Sequence, residues 1–110
     1  MASAEGPSAG AAGDKPALPV GTMLVDVRGA GEFDSGHIEG AVSLPLDRIH
    51  VDIARAVPDQ KMPLVLYCRS GARSGRACNV LTEMGYDQVT NGGGIGSLAL
   101  RLNRRITARR

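Results

Sequence analysis

A stretch near the middle of the chain, YCRSGARSGRA at 67–77, combines one cysteine with glycines, serines and arginines. Cys68 directly follows an apolar run and precedes residues that are short or flexible. Such a loop can turn its backbone N–H groups inward around an anion, and a following helix adds free N–H groups and its positive dipole end. Gly71 is expected to take a positive φ. We therefore predict that Cys68 is a nucleophile with a lowered pKa, in a cup for a small oxyanion.

The remaining loop residues are predicted to bind the anionic substrate. Arg69 and Arg73 supply fixed positive charge and guanidinium groups that bind oxyanions. Ser74 is expected either to donate to the sulfur or to cap the following helix. Ser70 and Ala72 complete this predicted substrate-binding loop.

Other residues that could do chemistry are predicted to have supporting or structural roles. Asp26 and Arg28 fall at the end of a predicted strand, where an ion pair would brace neighbouring loops. A thiolate of low pKa needs no general base, so His37 is expected to be a structural hydrogen-bonding residue. His50 is expected to face solvent. Cys78 lies ten residues after Cys68 on a predicted helix, too far for a disulfide without rearrangement, and is expected to be a spectator.

The elements that must position these residues alternate between strands and helices. Short apolar runs predict strands at 22–27, 41–45, 63–68 and 86–91. Helical spacing predicts helices at 47–57, at 72–84 and from 97 to about 106, with one helical turn around Glu32 and a turn at GGGIGS, 92–97. This order predicts an α/β domain with a parallel sheet, in which ligands bind beyond the carboxyl ends of the strands.

Composition limits the possible classes of protein. The chain has 110 residues, 43% of them hydrophobic, and a net charge of +2. We expect a disordered lead at 1–20 that is no signal peptide as it stands, a single domain at 21–106 and a basic tail at 107–110. Three aromatic residues give little for base stacking, and no apolar run is long enough to span a membrane. We expect neither a nucleic-acid nor a membrane partner.

No cofactor or metal is expected from the motifs present. The two cysteines and two histidines are scattered and lack the spacing of metal ligands. Residues 94–99 match the loose pattern G-x-G-x-x-A of dinucleotide sites. Only eleven residues follow, too few for a helix, a second strand and a carboxylate that binds ribose, so we reject that interpretation.

The loop at 68–74 resembles the active-site loop of the rhodanese family, the thiosulfate sulfurtransferases. The resemblance extends to LVDVR and EFDSGHIEGAVSLP near the start, to AVPDQ and SGRACNVLTEMGY, and to MGYDQVTNGGGIGSL near the end. It covers residues from about 20 to 100 and is greatest to the small single-domain, phage-shock-type rhodaneses of bacteria.

The resemblance implies a mostly parallel sheet of about five strands flanked by helices. It implies a ping-pong reaction in which Cys68 takes the sulfane sulfur of thiosulfate as a persulfide and passes it to cyanide, a thiol or a reduced redoxin-type protein. The two loop arginines favour thiosulfate over mercaptopyruvate as donor. The resemblance also implies a periplasmic location, with the cytoplasm as the alternative, and we expect a monomer.

Two other functions remain open at this point. A cysteine-dependent phosphatase or arsenate reductase would need an arginine six residues after the cysteine, where this chain has Ser74, and Arg73 falls one residue short. A non-catalytic rhodanese-like binding or sensor module would commonly have lost the nucleophile, which this chain keeps.

Overall fold

The computed structural model describes residues 18–108. Most of the predicted lead at 1–20, and the last two residues of the predicted tail, lie outside this range. In chain order the elements are β1 (Met23–Asp26), α1 (Ala30–Ser35), β2 (His37–Ile38), β3 (Val42–Ser43), α2 (Ile49–Ala56), β4 (Leu64–Cys68), α3 (Ala72–Glu83), β5 (Val89–Gly94), α4 (Ile95–Leu102) and β6 (Ile106–Thr107).

A four-stranded parallel sheet forms the centre of the domain, in the order β3-β1-β4-β5. These are the four strands that the apolar runs predicted, and the α/β class is confirmed. Within the described residues the sheet has one strand fewer than the resemblance implied. The additional strands, β2 and β6, form a separate antiparallel pair outside the main sheet.

The two faces of the sheet are covered by different helices. On one face, α2 and α3 bury Ile49, Ile53, Ala77 and Leu81 against the strands. On the other face, α4 and β2 bury a smaller cluster around Tyr67. Since both faces are covered, β4 is apolar throughout rather than alternating.

Successive residues of β4 point to opposite faces, which separates the reactive cysteine from its neighbour. Cys68 belongs to the cluster under α2 and α3, and Tyr67 to the cluster under α4. The Tyr67 hydroxyl accepts the backbone N–H of Ile38 at 3.0 Å. Tyr67 therefore holds β4 to β2 one residue before the sulfur.

The C-terminal part of the domain differs from the sequence-based expectation. The predicted turn at 92–97 is wrong, because Gly92, Gly93 and Gly94 continue β5 and α4 begins directly at Ile95. The predicted last helix is too long, because Asn103 adopts a left-handed conformation, with φ 55°, and ends α4 after Leu102.

The chain then turns back along the domain. Ile106 and Thr107 pair with Ile38 and His37 in antiparallel register. Thr107, the first residue of the predicted basic tail, is therefore part of a strand. Among the described residues, no helix is long and apolar enough to cross a bilayer.

Candidate active site

Cys68 is the last residue of β4, at the carboxyl edge of the sheet and between two other strands. Its register partner in β5 is Gly94, and β1 ends on its other side. The side chain is 1% exposed. This is the place where parallel sheets of open α/β domains bind ligands.

The residues after Cys68 wrap around its sulfur, as the loop composition predicted. Gly71 has φ 101°, the positive angle expected of it, and is the N-cap of α3. Its N–H donates to Cys68 Sγ at 2.9 Å. The backbone N–H groups of Ser70 and Ser74 are also directed at the sulfur, and the Ser74 hydroxyl lies 3.5 Å from it. The predicted ring of inward-facing amides is therefore present.

This arrangement makes the thiol acidic in spite of its burial. Burial by itself raises the pKa of Cys68, since it penalises the thiolate. Hydrogen bonds from the Ser74 side chain and from the backbone of Ser74, Ser70 and Gly71 outweigh that effect and lower the pKa to about 7. About half of the sulfur is then thiolate at neutral pH. The predicted direction is confirmed.

Ser74 links the loop to β5 through Asn91. The Ser74 hydroxyl lies 2.7 Å from Asn91 Oδ1 and 3.2 Å from the Gly71 carbonyl oxygen. Asn91 Nδ2 donates to that same carbonyl at 3.1 Å, and Asn91 Oδ1 accepts the Gly93 N–H at 2.9 Å. The hydroxyl has one proton, and a charged sulfur is a stronger acceptor than a neutral amide. The hydroxyl proton therefore has two competing acceptors, Asn91 Oδ1 and the Cys68 sulfur when it is ionised.

The two loop arginines, which the sequence did not distinguish, have different surroundings. Arg73 binds both carboxylate oxygens of Glu32, at 2.8 and 3.1 Å. The hydrogen bond from Arg73 is the largest cause, and one from the Gly29 N–H is the next. Together they lower the pKa of Glu32 to about 2. Arg69 is exposed, and nothing within residues 18–108 forms an ion pair or hydrogen bond with its guanidinium. Arg69 is thus the loop cation that is available to an anion.

Three consecutive glycines let β5 approach the loop closely. A Cβ atom built on Gly94 would lie 2.7 Å from the carbonyl oxygen of Arg69. One built on Gly92 would lie 2.9 Å from side-chain atoms of Leu98 and Val65. Only glycine fits at these two positions without displacement of neighbouring atoms.

Asp26 and Arg28 form the predicted bracing pair. Arg28 Nη2 lies 2.7 Å from Asp26 Oδ2, and the Arg28 Nε and backbone N–H also donate to this carboxylate. Arg28 Nη2 in addition donates to the carbonyl oxygen of Gly36, at the end of α1. The guanidinium carbon lies 6.0 Å from the centre of the Tyr67 ring. The pair therefore fixes the end of β1 to α1 beside β4.

The remaining cysteine and the histidines lie as expected. His37 Nδ1 is 2.8 Å from the Phe33 carbonyl oxygen, and its ring stacks on Phe33 at 3.7 Å. His50 is exposed. Cys78 is partly buried against the core, burial raises the pKa of its thiol, and both Cys68 and Cys78 are free thiols. No cluster of three or more metal-binding side chains occurs in the described part of the chain.

Several residues of the site were missed in the sequence. Glu32 and Asn91 carry no motif, and their roles depend on the tertiary arrangement of α1, α3 and β5. The glycine run at 92–94 did carry a signal, since a run of glycines at a strand end indicates close backbone approach. The predicted turn at 92–97 takes no account of that signal.

Comparisons with known proteins find similarity to rhodanese-like proteins and thiosulfate sulfurtransferases. A family model described as "Rhodanese-like domain" matches residues 11–95. Thiosulfate sulfurtransferase PspE of Escherichia coli is 40% identical over 76 residues, which cover 69% of this chain and 73% of that protein. Thiosulfate sulfurtransferase GlpE of Shewanella oneidensis is 38% identical over 67 residues, covering 61% of this chain and 64% of that protein.

A solved structure has the same fold. The structure described as "rhodanese with anions from E. coli" superimposes with a TM-score of 0.68 at 38% identity, covering 71% of this chain and 92% of that one.

Proposed function

This chain belongs to the rhodanese-like family, and from that premise we propose that it moves sulfane sulfur from thiosulfate to a thiol acceptor through a persulfide on Cys68. Relatives named thiosulfate sulfurtransferase support the sulfurtransferase activity. The observation that carries the proposal is the cup of N–H donors that stabilises the Cys68 thiolate, above all the 2.9 Å hydrogen bond from Gly71.

The proposed first half-reaction loads the cysteine. The Cys68 thiolate attacks the outer sulfur of thiosulfate, and the sulfur–sulfur bond of thiosulfate breaks. Its electron pair leaves with sulfite, and a Cys68 persulfide anion remains. The amides that stabilise the thiolate are then available to the outer sulfur, so the same donors serve both forms of the enzyme.

The proposed second half-reaction removes the outer sulfur from Cys68. An acceptor thiolate attacks the outer sulfur of the persulfide, the bond to Cys68 Sγ breaks, and the electron pair returns to Sγ. Charge is conserved in both steps, and neither requires an oxidant or reductant. The Cys68 thiolate is regenerated for the next cycle.

The geometry also bears on the phosphatase alternative. Such an enzyme needs an arginine that closes over the oxygens of a phosphoryl group. Arg73 falls one position short and has both terminal nitrogens on Glu32. The loop therefore favours sulfur over a phosphoryl group as the transferred unit.

Intact mass measured after incubation with thiosulfate tests the proposal. We expect the wild type and a Cys78→Ser control to gain one sulfur atom, and Cys68→Ala to gain none. We expect Cys68→Ala to lose at least about a thousandfold of its sulfur-transfer rate while its fold is kept. An unmodified wild type would contradict the proposal. Hydrolysis of an aryl phosphate that Cys68→Ser abolishes would favour the alternative.

The proposal also covers the cellular location, the oligomeric state and the sulfur acceptor. We propose a monomer that works in the periplasm, as the resemblance implies, with thiols or a reduced redoxin-type protein as acceptors. Cell fractionation of the native gene product and light scattering of the purified protein test the location and the oligomeric state.

A further inference from the structure

A cleft of about 500 Å³ lies against the loop that holds Cys68. It is named here the β6 cleft, and its lining consists of Arg28, Gly31, Glu32, Ser35, Gly36, Arg69, Ile95 and Ile106. Its size is that of a site for a small molecule. Arg69 is joined to Cys68 by a peptide bond, and Ile95 follows Gly94, the register partner of Cys68. Cys68 itself does not line the cleft, so the cleft meets the loop at Arg69, one residue along the chain from the sulfur.

The outer rim of the β6 cleft is built by a segment beyond the family match. The family model ends at residue 95, whereas Ile106 lies in β6. Pairing of β6 with β2 brings Ile106 over the end of α1, where its Cγ2 atom lies 3.2 Å from a Cβ built on Gly36. Ile106 is nevertheless 48% exposed. The rim is thus an apolar wall supplied by this chain's own C-terminal strand.

The charges in the β6 cleft differ in their availability. Arg28 is bound to Asp26 and to the Gly36 carbonyl, and Glu32 is bound to Arg73. Arg69 has no such partner among residues 18–108. The cleft therefore offers a ligand one guanidinium and two aliphatic side chains, which complement a carboxylate carried on a short carbon chain.

We propose that the β6 cleft binds the sulfur acceptor, and that this acceptor is a small thiol carrying a carboxylate. The carboxylate would bind Arg69, the carbon chain would lie against Ile95 and Ile106, and the thiol would reach the persulfide on Cys68. This proposal rests on the proposed function. Its chemistry is the second half-reaction above, with the product a small-molecule persulfide and the electron pair left on Cys68.

The test measures only the discharge of protein already loaded with sulfur. Loaded Ile106→Glu and Ile106→Lys are mixed with 3-mercaptopropionate, 2-mercaptoethanol or cysteamine, and loss of the adduct is followed by mass. For 3-mercaptopropionate we expect the lysine variant to react roughly five- to tenfold faster than the glutamate variant, as expected for two unit charges changed at about 7 Å in water. The order should reverse for cysteamine and vanish for 2-mercaptoethanol.

Leu100 provides the matched control for added charge. It is 82% exposed on α4 and does not line the cleft. Leu100→Glu and Leu100→Lys should be discharged by the three thiols at the same relative rates as each other. Equal effects at Leu100 and Ile106 would indicate net charge alone and overturn the proposal, as would unchanged rates in both Ile106 variants. If thiosulfate fails to load the protein, the proposed function fails, and loading with inorganic polysulfide still allows the cleft to be tested.

Binding can be measured without any reaction. The thioether 3-(methylthio)propanoate is added to wild-type protein labelled with nitrogen-15. We expect the amide signals of Arg69, Ile95 and Ile106 to shift in a saturable way, and the shifts to weaken in Ile106→Glu but not in Leu100→Glu. Shifts confined to other parts of the domain would contradict the proposal.

Discussion

The guanidinium of Arg73 binds both carboxylate oxygens of Glu32, at 2.8 and 3.1 Å, and so joins the first turn of α3 to α1 beside the reactive sulfur. Each side chain is about one third exposed, at 34% and 35%. We expect Glu32→Gln and Arg73→Gln to be non-additive in a double-mutant cycle of urea unfolding, with a coupling of about 0.5–1 kcal/mol near neutral pH.

The pH dependence of that coupling follows from the pKa of Glu32. Since the pKa of Glu32 is about 2 in the folded chain and 4.5 for an unperturbed glutamate, the contribution is fully present above 4.5 and is lost as pH falls towards 2. The cycle is therefore repeated at about pH 3, where the coupling should be smaller. A coupling that stays constant, or is absent at neutral pH, would show that the contact adds no stability.

The two loop arginines should differ in their effect on thiosulfate capture. Because Glu32 already neutralises Arg73, we expect Arg69→Gln to raise the thiosulfate concentration for half-maximal loading roughly three- to tenfold, and Arg73→Gln to raise it less. Stopped-flow measurement of loading at several salt concentrations checks this. A larger effect at Arg73 would mean that thiosulfate displaces Glu32 from it. Arg69 can serve donor and acceptor in turn, since the two bind in separate half-reactions.

The ionisation of Cys68 should control the loading rate. With a pKa of about 7, the thiolate fraction and the rate should rise as pH increases through 7 and level off above about 8. We expect Ser74→Ala to move the midpoint to higher pH, since it removes a donor to the sulfur, and Ser97→Ala, an exposed serine of α4, to leave it in place. The titration midpoint of each variant is measured from the ultraviolet absorbance of the thiolate. Because folding lowers the pKa of Cys68, its thiolate also stabilises the fold. This contribution is fully present at pH values above the pKa of the unfolded chain and is lost as pH falls through 7.

Alanine substitutions at two glycines two residues apart should have opposite effects. A Cβ on Gly94 would meet the Arg69 carbonyl oxygen at 2.7 Å, whereas one on Gly96 meets nothing within 4 Å. We expect Gly94→Ala to displace the loop, destabilise the domain by about 1–3 kcal/mol and slow loading at least tenfold. Gly96→Ala, inside α4, should stabilise by up to about 1 kcal/mol. Equal melting temperatures for the two variants would contradict the close approach.

The order of strands and helices was predictable because each carries its own local signal. β4 is a continuous apolar run, and the inner positions of α3 repeat at helical spacing. The cup around Cys68 was predictable for the same reason, since a cysteine, Gly71 and a helix start follow one another within a few residues. The lowered pKa of the thiol then follows from the Ser74 hydroxyl and the neighbouring N–H groups.

The features that were missed depend on residues distant in sequence. Glu32 meets Arg73 across 41 positions, and Asn91 meets Ser74 across 17. The pairing of β6 with β2 joins Ile106 to Ile38 and involves only two residues in each strand. Strands of that length have no periodicity to detect. The end of α4 at Asn103 also depends on a single left-handed residue.

Tyr67 and Cys68 occupy opposite sides of one strand, and the tyrosine hydroxyl is fastened to Ile38 in a separate sheet. That strand is thus held on one side, while the sulfur that the proposed reaction would load and unload lies on the other. We therefore expect the proposed transfer to displace the side chains and amides around the sulfur rather than the strand itself.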